Sequence, residues 1–186
     1  MKPIIITITI LLGIILFAGF QTFADGEKEV LMKLEHLNKK YSVATFAGGC
    51  FWCTESDFEK VEGVIDAISG YTGGSDPSPT YKNVSSGITG HTEAVQVFYD
   101  PDIVTYEELL DVFWRHINPT DAQGQFVDRG SQYRPEIFYH DENQMKLAKA
   151  SRKNLEDLKI FDKPIATPVT RFEKFYPAES YHQDYY

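Results

Sequence analysis

Two periods of hydrophobic and polar positions alternate along the chain. Tyr41 to Ala47 (YSVATFA) reads as a strand ending at Gly48-Gly49, and from Cys50 to Val61 the positions Phe51, Thr54, Phe58 and Val61 fall on one side of a helix. Gly63 stops that helix. Val64 to Tyr71 predicts a second strand and Glu93 to Tyr99 a third, closed by Asp100-Pro101, with a loop rich in Gly, Ser, Pro and Thr from Thr72 to Gly90 between them. Thr105-Tyr106-Glu107-Glu108 is a capping-box signature for a helix to about His116, with Leu109, Val112, Phe113 and Ile117 at three-to-four spacing and Asn118-Pro119 beyond it. A polar loop to Tyr133 precedes a strand at Glu136 to Tyr139, a helix from Asp141 to about Leu158 and a strand around Thr167 to Phe172. The order from Val43 to Tyr139 is βαββαβ, which predicts an α+β fold: a ferredoxin-like two-layer sandwich, helices on one sheet face, extended by the C-terminal helix and strand. Upstream, Val30, Leu31, Leu34 and Leu37 predict a short lead-in helix within residues 25–40, leaving 41–186 as one domain.

The first 24 residues follow a different rule. Lys2, an apolar run from Ile4 to Phe20 and Thr22-Phe23-Ala24 match a signal peptide cleaved after Ala24, with an uncleaved membrane anchor as the second reading. The domain is therefore expected outside the cytoplasm, periplasmic or secreted. Of the 186 residues 42% are hydrophobic and 24% charged, which excludes a disordered tail, a collagen-like fibre and a polytopic membrane protein. A formal charge of -9 with no basic block argues against a nucleic-acid partner. No phosphate-cradling glycine motif occurs, so a nucleotide cofactor has little support.

Two cysteines are too few to staple a small fold, and both lie at the start of the first predicted helix. Cys50 follows a strand and a Gly-Gly turn, so its sulfur should face the unpaired amides of the first helical turn, which favour negative charge. A thiol of ordinary pKa about 8.5, lowered there by about 1.5, would be half ionised at pH 7, making Cys50 a candidate nucleophile. Cys53, three residues on, lies within disulfide reach and is the candidate resolving thiol. Two buried, inert cysteines are the alternative. A zinc site is weaker, because no second C-x-x-C and no H-x-x-x-H is present, and no metal is expected. Strand parity puts Glu93 on one face with Val95 and Val97, so partial burial should raise its pKa and leave a proton to donate, although a surface carboxylate at a strand end fits the parity too. By pattern alone Tyr81 and Tyr133 are loop residues and Asp128 a turn residue. Phe113 and Trp114 read as core, and His116 and His140 as surface or capping residues.

The run Gly48-Gly49-Cys50-Phe51-Trp52-Cys53-Thr54-Glu55 closely resembles the signature of the peptide methionine sulfoxide reductase A family. Further matching stretches are Gly70-Tyr71-Thr72-Gly73-Gly74, Pro79-Thr80-Tyr81, Gly90-His91-Thr92-Glu93-Ala94-Val95, Tyr99-Asp100-Pro101, Asp128-Arg129-Gly130-Ser131-Gln132-Tyr133-Arg134 and His182-Gln183, in family order over nearly the whole domain. The resemblance implies reduction of the S epimer of methionine sulfoxide, free or in proteins, with Cys50 as nucleophile and Glu93 as acid. It places the methyl pocket on Phe51 and Trp52, oxygen-side hydrogen bonds on Tyr81 and Tyr133, the orienting carboxylate on Asp128, and a polar contribution on His182. Many relatives carry recycling cysteines near the C-terminus; none stands there in this chain, which leaves Cys53 as the internal resolver. The enzyme is expected to act as a monomer without a cofactor, recycled by a thioredoxin-like electron donor that must work in an oxidising compartment. Two competing readings are a thioredoxin-like oxidoreductase of protein disulfides and an exported binding module with incidental thiols.

Overall fold

The computed structural model describes residues 25–186; the leader reading concerns residues 1–24 and lies outside the described residues. A first helix, α1, covers residues 25–40. There follow β1 (Ser42–Ala47), α2 (Phe51–Glu59), β2 (Val64–Thr72), α3 (Tyr81–Ser85), β3 (Thr92–Tyr99), α4 (Tyr106–His116), β4 (Gly124–Gln125), β5 (Asp128–Arg129), β6 (Glu136–Tyr139), α5 (Glu142–Asp157), β7 (Val169–Arg171) and β8 (Tyr176–Pro177).

The main sheet has the order β7-β6-β1-β3-β2-β8. In its four middle strands each neighbour runs antiparallel to the next, and β1 and β2, parallel to each other, flank β3 with α2 crossing between them, the split βαβ unit that the element order predicted. β8 extends one edge antiparallel to β2, and β7 extends the other parallel to β6. Every residue of β3 is buried, as a central strand covered on both faces must be. Val95 and Val97 face α2 and α4, joining Phe46, Phe58, Leu109, Leu110 and Phe113 in the main core. Phe46 stacks on Phe58 at 5.0 Å and on Phe113 at 5.2 Å, so truncating it to Ala should cost about 3–5 kcal/mol.

Helices were expected on one sheet face only, and α1 departs from this. Its Val30 and Leu37 cover Ile68 and Phe98 on the opposite face, giving a local third layer. The predicted capping box is present: the Thr105 hydroxyl accepts from the Glu108 N–H at 3.2 Å, and the Thr105 N–H donates back to the Glu108 carboxylate at 2.7 Å. The two long loops hold more structure than their polar composition suggested. The first contains α3, and the second contains the β4–β5 hairpin and a 3-10 turn at Ser131–Tyr133. β8 and the 3-10 turn Ser180–His182 had no counterpart in the sequence reading, because segments this short carry no readable period.

His140 is corrected. It is mostly buried, with Nε2 2.8 Å from the Thr45 hydroxyl and its ring stacked on Phe172 at 4.2 Å. Burial pushes it down to about 4, so it is a neutral packing residue. His116 ends α4 as expected, with Nδ1 2.7 Å from the Val112 carbonyl. Phe113 is core, and Trp114 packs beside it, its indole N–H donating to the Ser151 hydroxyl at 2.9 Å.

Candidate active site

Antiparallel pairing of β1 with β3 sets Phe46 opposite Val95, so the chain leaves β1 beside the start of β3, where Glu93 stands. The turn that follows needs glycine at Gly49, whose φ is +100° and where a Cβ would meet the Gln125 side chain at 2.7 Å. Cys50 is consequently the residue that caps α2, with extended backbone angles of φ -59° and ψ 121°, and the helix itself begins at Phe51. The next donor, the Phe51 N–H, is taken by the Glu93 carboxylate at 3.0 Å. Glu93 and Cys50 are thus tied to one helix terminus.

Glu93 is 2% exposed. Burial pushes it up to about 7, the charge of Asp128 adds to this, and the Phe51 N–H opposes it. The surface-carboxylate alternative is gone. Cys50 is half-buried, and its thiol differs from expectation. Burial pushes it up to about 12 and the charge of Glu93 adds to that, whereas the Cys53 and Trp52 amides pull the other way. The helix start acts in the predicted direction but is outweighed, because desolvation and a neighbouring carboxylate both penalise the thiolate. Cys53 is exposed, and both thiols are free.

Phe51 is 1% exposed and forms the floor of an aromatic nest with Trp52 at 5.9 Å, Tyr71 at 5.9 Å, Tyr81 at 6.3 Å and His182 at 5.3 Å. Tyr81 opens α3, the helix the polar loop concealed. Its N–H donates to the Glu179 carboxylate at 2.9 Å, and the same carboxylate accepts from the Tyr71 hydroxyl at 2.8 Å. Tyr133 is held from its neighbour: the Gln132 side chain donates to the Ser85 carbonyl at 2.9 Å, and the Gln132 carbonyl accepts from the Thr92 hydroxyl at 3.0 Å. Burial and then the charge of Glu93 push Tyr133 up to about 12 and raise Tyr81, so both phenols stay protonated donors beside the acid. Asp128, on β5, lines a cleft with Cys50 and Cys53 and lies near enough to raise Glu93 and both tyrosines. All the predicted site residues meet at this end of the sheet.

His182 is 2% exposed and packs against Phe51, Trp52 and Tyr81; burial lowers its pKa, and its ring nitrogens have no partner among the described residues. Sequence reasoning missed Glu179, which anchors Tyr81, and Tyr185, whose ring lies on Trp52 at 3.9 Å and 9°. No local pattern marks either. Among the described residues no cluster of His, Cys, Asp and Glu has a metal-binding arrangement.

One end of the sheet thus gathers an apolar aromatic floor, two free thiols, a buried carboxyl and phenols that hold their protons. The family model for peptide methionine sulfoxide reductase matches residues 42–186. A Vibrio cholerae peptide methionine sulfoxide reductase MsrA/MsrB is 60% identical over 153 residues, 82% of this chain and 40% of that protein, so the chain spans well under half of that relative's length. A Bacillus velezensis peptide methionine sulfoxide reductase MsrA is 52% identical over 150 residues, 81% of this chain and 85% of the relative. Among solved structures, reduced Mxr1 from Saccharomyces cerevisiae is 35% identical with a TM-score of 0.73, covering 79% of this chain and 84% of that one. The same yeast protein in complex with Trx2 aligns at 26% identity and a TM-score of 0.56, covering 76% of this chain and 83% of that one. With its fold, its motifs and this similarity in agreement, the chain belongs to the peptide methionine sulfoxide reductase A family, enzymes that return methionine sulfoxide to methionine.

Proposed function

We propose that Cys50 attacks the sulfur of a methionine S-sulfoxide whose methyl group sits against Phe51 and Trp52 and whose amino-acid portion is oriented by Asp128. Tyr81 and Tyr133 hydrogen-bond the sulfoxide oxygen, and Glu93 supplies the proton it needs as the S–O bond to the substrate breaks. The substrate sulfur gains two electrons and leaves as methionine, while Cys50 loses two and becomes a sulfenic acid. The Cys53 thiol then attacks the Cys50 sulfur, its proton leaves with the hydroxyl as water, and a Cys50–Cys53 disulfide forms. Two electrons and two protons from a thioredoxin-like dithiol reopen it. The observation that carries this reading is Glu93, buried beside Cys50 and bonded to the first amide of the helix that Cys50 caps.

The reductant is supported by the exposure of Cys53, which is open to an incoming thiolate, and by the complex that the related Mxr1 forms with Trx2. Residues 1–24 support export, the domain acting outside the cytoplasm as a monomer with a dedicated supply of electrons. One assay tests the reaction. With dithiothreitol as donor, the protein should reduce peptide methionine S-sulfoxide and leave both the R epimer and an insulin disulfide essentially untouched; rapid reduction of insulin with no sulfoxide turnover would refute it.

A further inference from the structure

Trp52 is the wall of the methyl pocket, yet no polar contact holds it. Its indole N–H is closed off from solvent and has no partner among the described residues, so only ring packing fixes the side chain. Phe51 and Tyr81 lie beside the ring at 5.9 and 6.5 Å, and its two closest ring contacts come from one short stretch of chain. His182 lies against one flank of the indole at 5.4 Å, and Tyr185 lies on it nearly face to face at 3.9 Å and 9°, the closest ring pair among those described. Two devices return Tyr185 to this place. The Gln183 side chain accepts from the Ser69 N–H at 3.0 Å and donates to the Ser69 and Ala178 carbonyls at 3.0 and 2.9 Å, pinning the segment to β2. Asp184 then adopts a left-handed backbone with φ 51°, which turns the chain just before Tyr185.

We propose that Tyr185 is a positioning residue for the reaction: by clamping Trp52 against His182 it holds the methyl pocket in its substrate-ready shape and so sets the affinity for the sulfoxide. This deepens the sulfoxide-reduction reading and rests on it for its effect on turnover. Tyr185 does not touch the reacting atoms, so its removal should act on binding more than on chemistry. Aromatic pairs of this geometry set a scale of roughly three- to tenfold in an equilibrium.

The test compares Tyr185→Ala, Tyr185→Leu and Tyr185→Phe with the parent protein under dithiothreitol. The Ala and Leu variants should raise KM for methionine S-sulfoxide about three- to tenfold with kcat within about twofold, and Phe, which keeps the ring face, should restore KM. A parental KM in the Ala and Leu variants, or a fall in kcat at constant KM, overturns the proposal. A second readout does not depend on turnover. In a Trp114→Phe background the emission of Trp52 reports its packing; Tyr185→Ala should shift it to the red and open it to iodide quenching, while Tyr185→Phe leaves it in place. Unchanged emission overturns the clamp even if sulfoxide is reduced, and a shifted emission supports the clamp even if the parent protein proves to act on another substrate.

Discussion

Cys50 and Cys53 are separated by one helical turn, yet they occupy opposite chemical environments. Cys50 is half-buried beside Glu93 on a floor of Phe51, with its proton held tightly; Cys53 stands exposed on the rim, facing solvent and the cleft toward the β4–β5 hairpin. In the proposed cycle the two half-reactions place separate demands on these sulfurs. Attack on a sulfoxide is served by a sheltered sulfur beside a proton-bearing acid, whereas recycling needs a sulfur that a second protein can reach. A single C-x-x-C would supply both in that proposed cycle, because the first cysteine caps the helix while the second already lies on its outer turn.

Substitutions at the two positions should separate these requirements. The largest effect is expected for Cys50→Ser, which should abolish methionine formation with either dithiothreitol or a thioredoxin-type donor, followed by chromatography of the released methionine. Next, Glu93→Gln should lower kcat by about 10²–10⁴-fold, the range of a lost general acid. The same change should speed alkylation of Cys50 by iodoacetamide near neutral pH, since it removes a negative charge that raises the thiol. Slower alkylation in that variant would contradict a Glu93 charge that raises the Cys50 thiol. Cys53→Ser should leave the first turnover intact within about threefold, judged by one equivalent of methionine in a rapid-quench experiment, and cut steady-state turnover with a thioredoxin-type donor by more than about tenfold.

The smallest effect is on stability. Folded Glu93 keeps its proton up to about pH 7, whereas the unfolded chain releases it near the ordinary 4.5. Between those values the native state binds the extra proton, so its stability falls as pH rises across the window, by up to about 3 kcal/mol for this group. Glu55, likewise pushed up to about 7 chiefly by burial, acts in the same direction over the same range. Glu93→Gln should therefore flatten part of the slope of denaturation midpoint against pH from 4.5 to 7, and adding Glu55→Gln should flatten most of what remains.

Legibility in the sequence followed the range of the interactions. The strand–turn–helix around Cys50, the capping box of α4 and the parity of β3 depend on neighbours a few residues apart, and the pattern of residues reveals them directly. The roles of Tyr81, Asp128 and Tyr133 were visible only through the family resemblance, since each sits in a loop without a period. Glu179, Tyr185 and the α1 layer escaped altogether. Glu179 reaches Tyr71 and Tyr81 across 108 and 98 positions, a relation that no local window contains.

The amino-acid order by itself determined the βαββαβ succession, the placement of two thiols at a helix start and the alignment of Glu93 with an apolar row, because backbone geometry and side-chain periodicity are local properties. Only the tertiary structure decided how tightly Cys50 holds its proton and what holds Trp52. A proton's affinity depends on the solvent and charge excluded from around it, and a ring is immobilised by whatever distant segment folds back onto it; both are sums over neighbours that exist only after the chain has closed on itself.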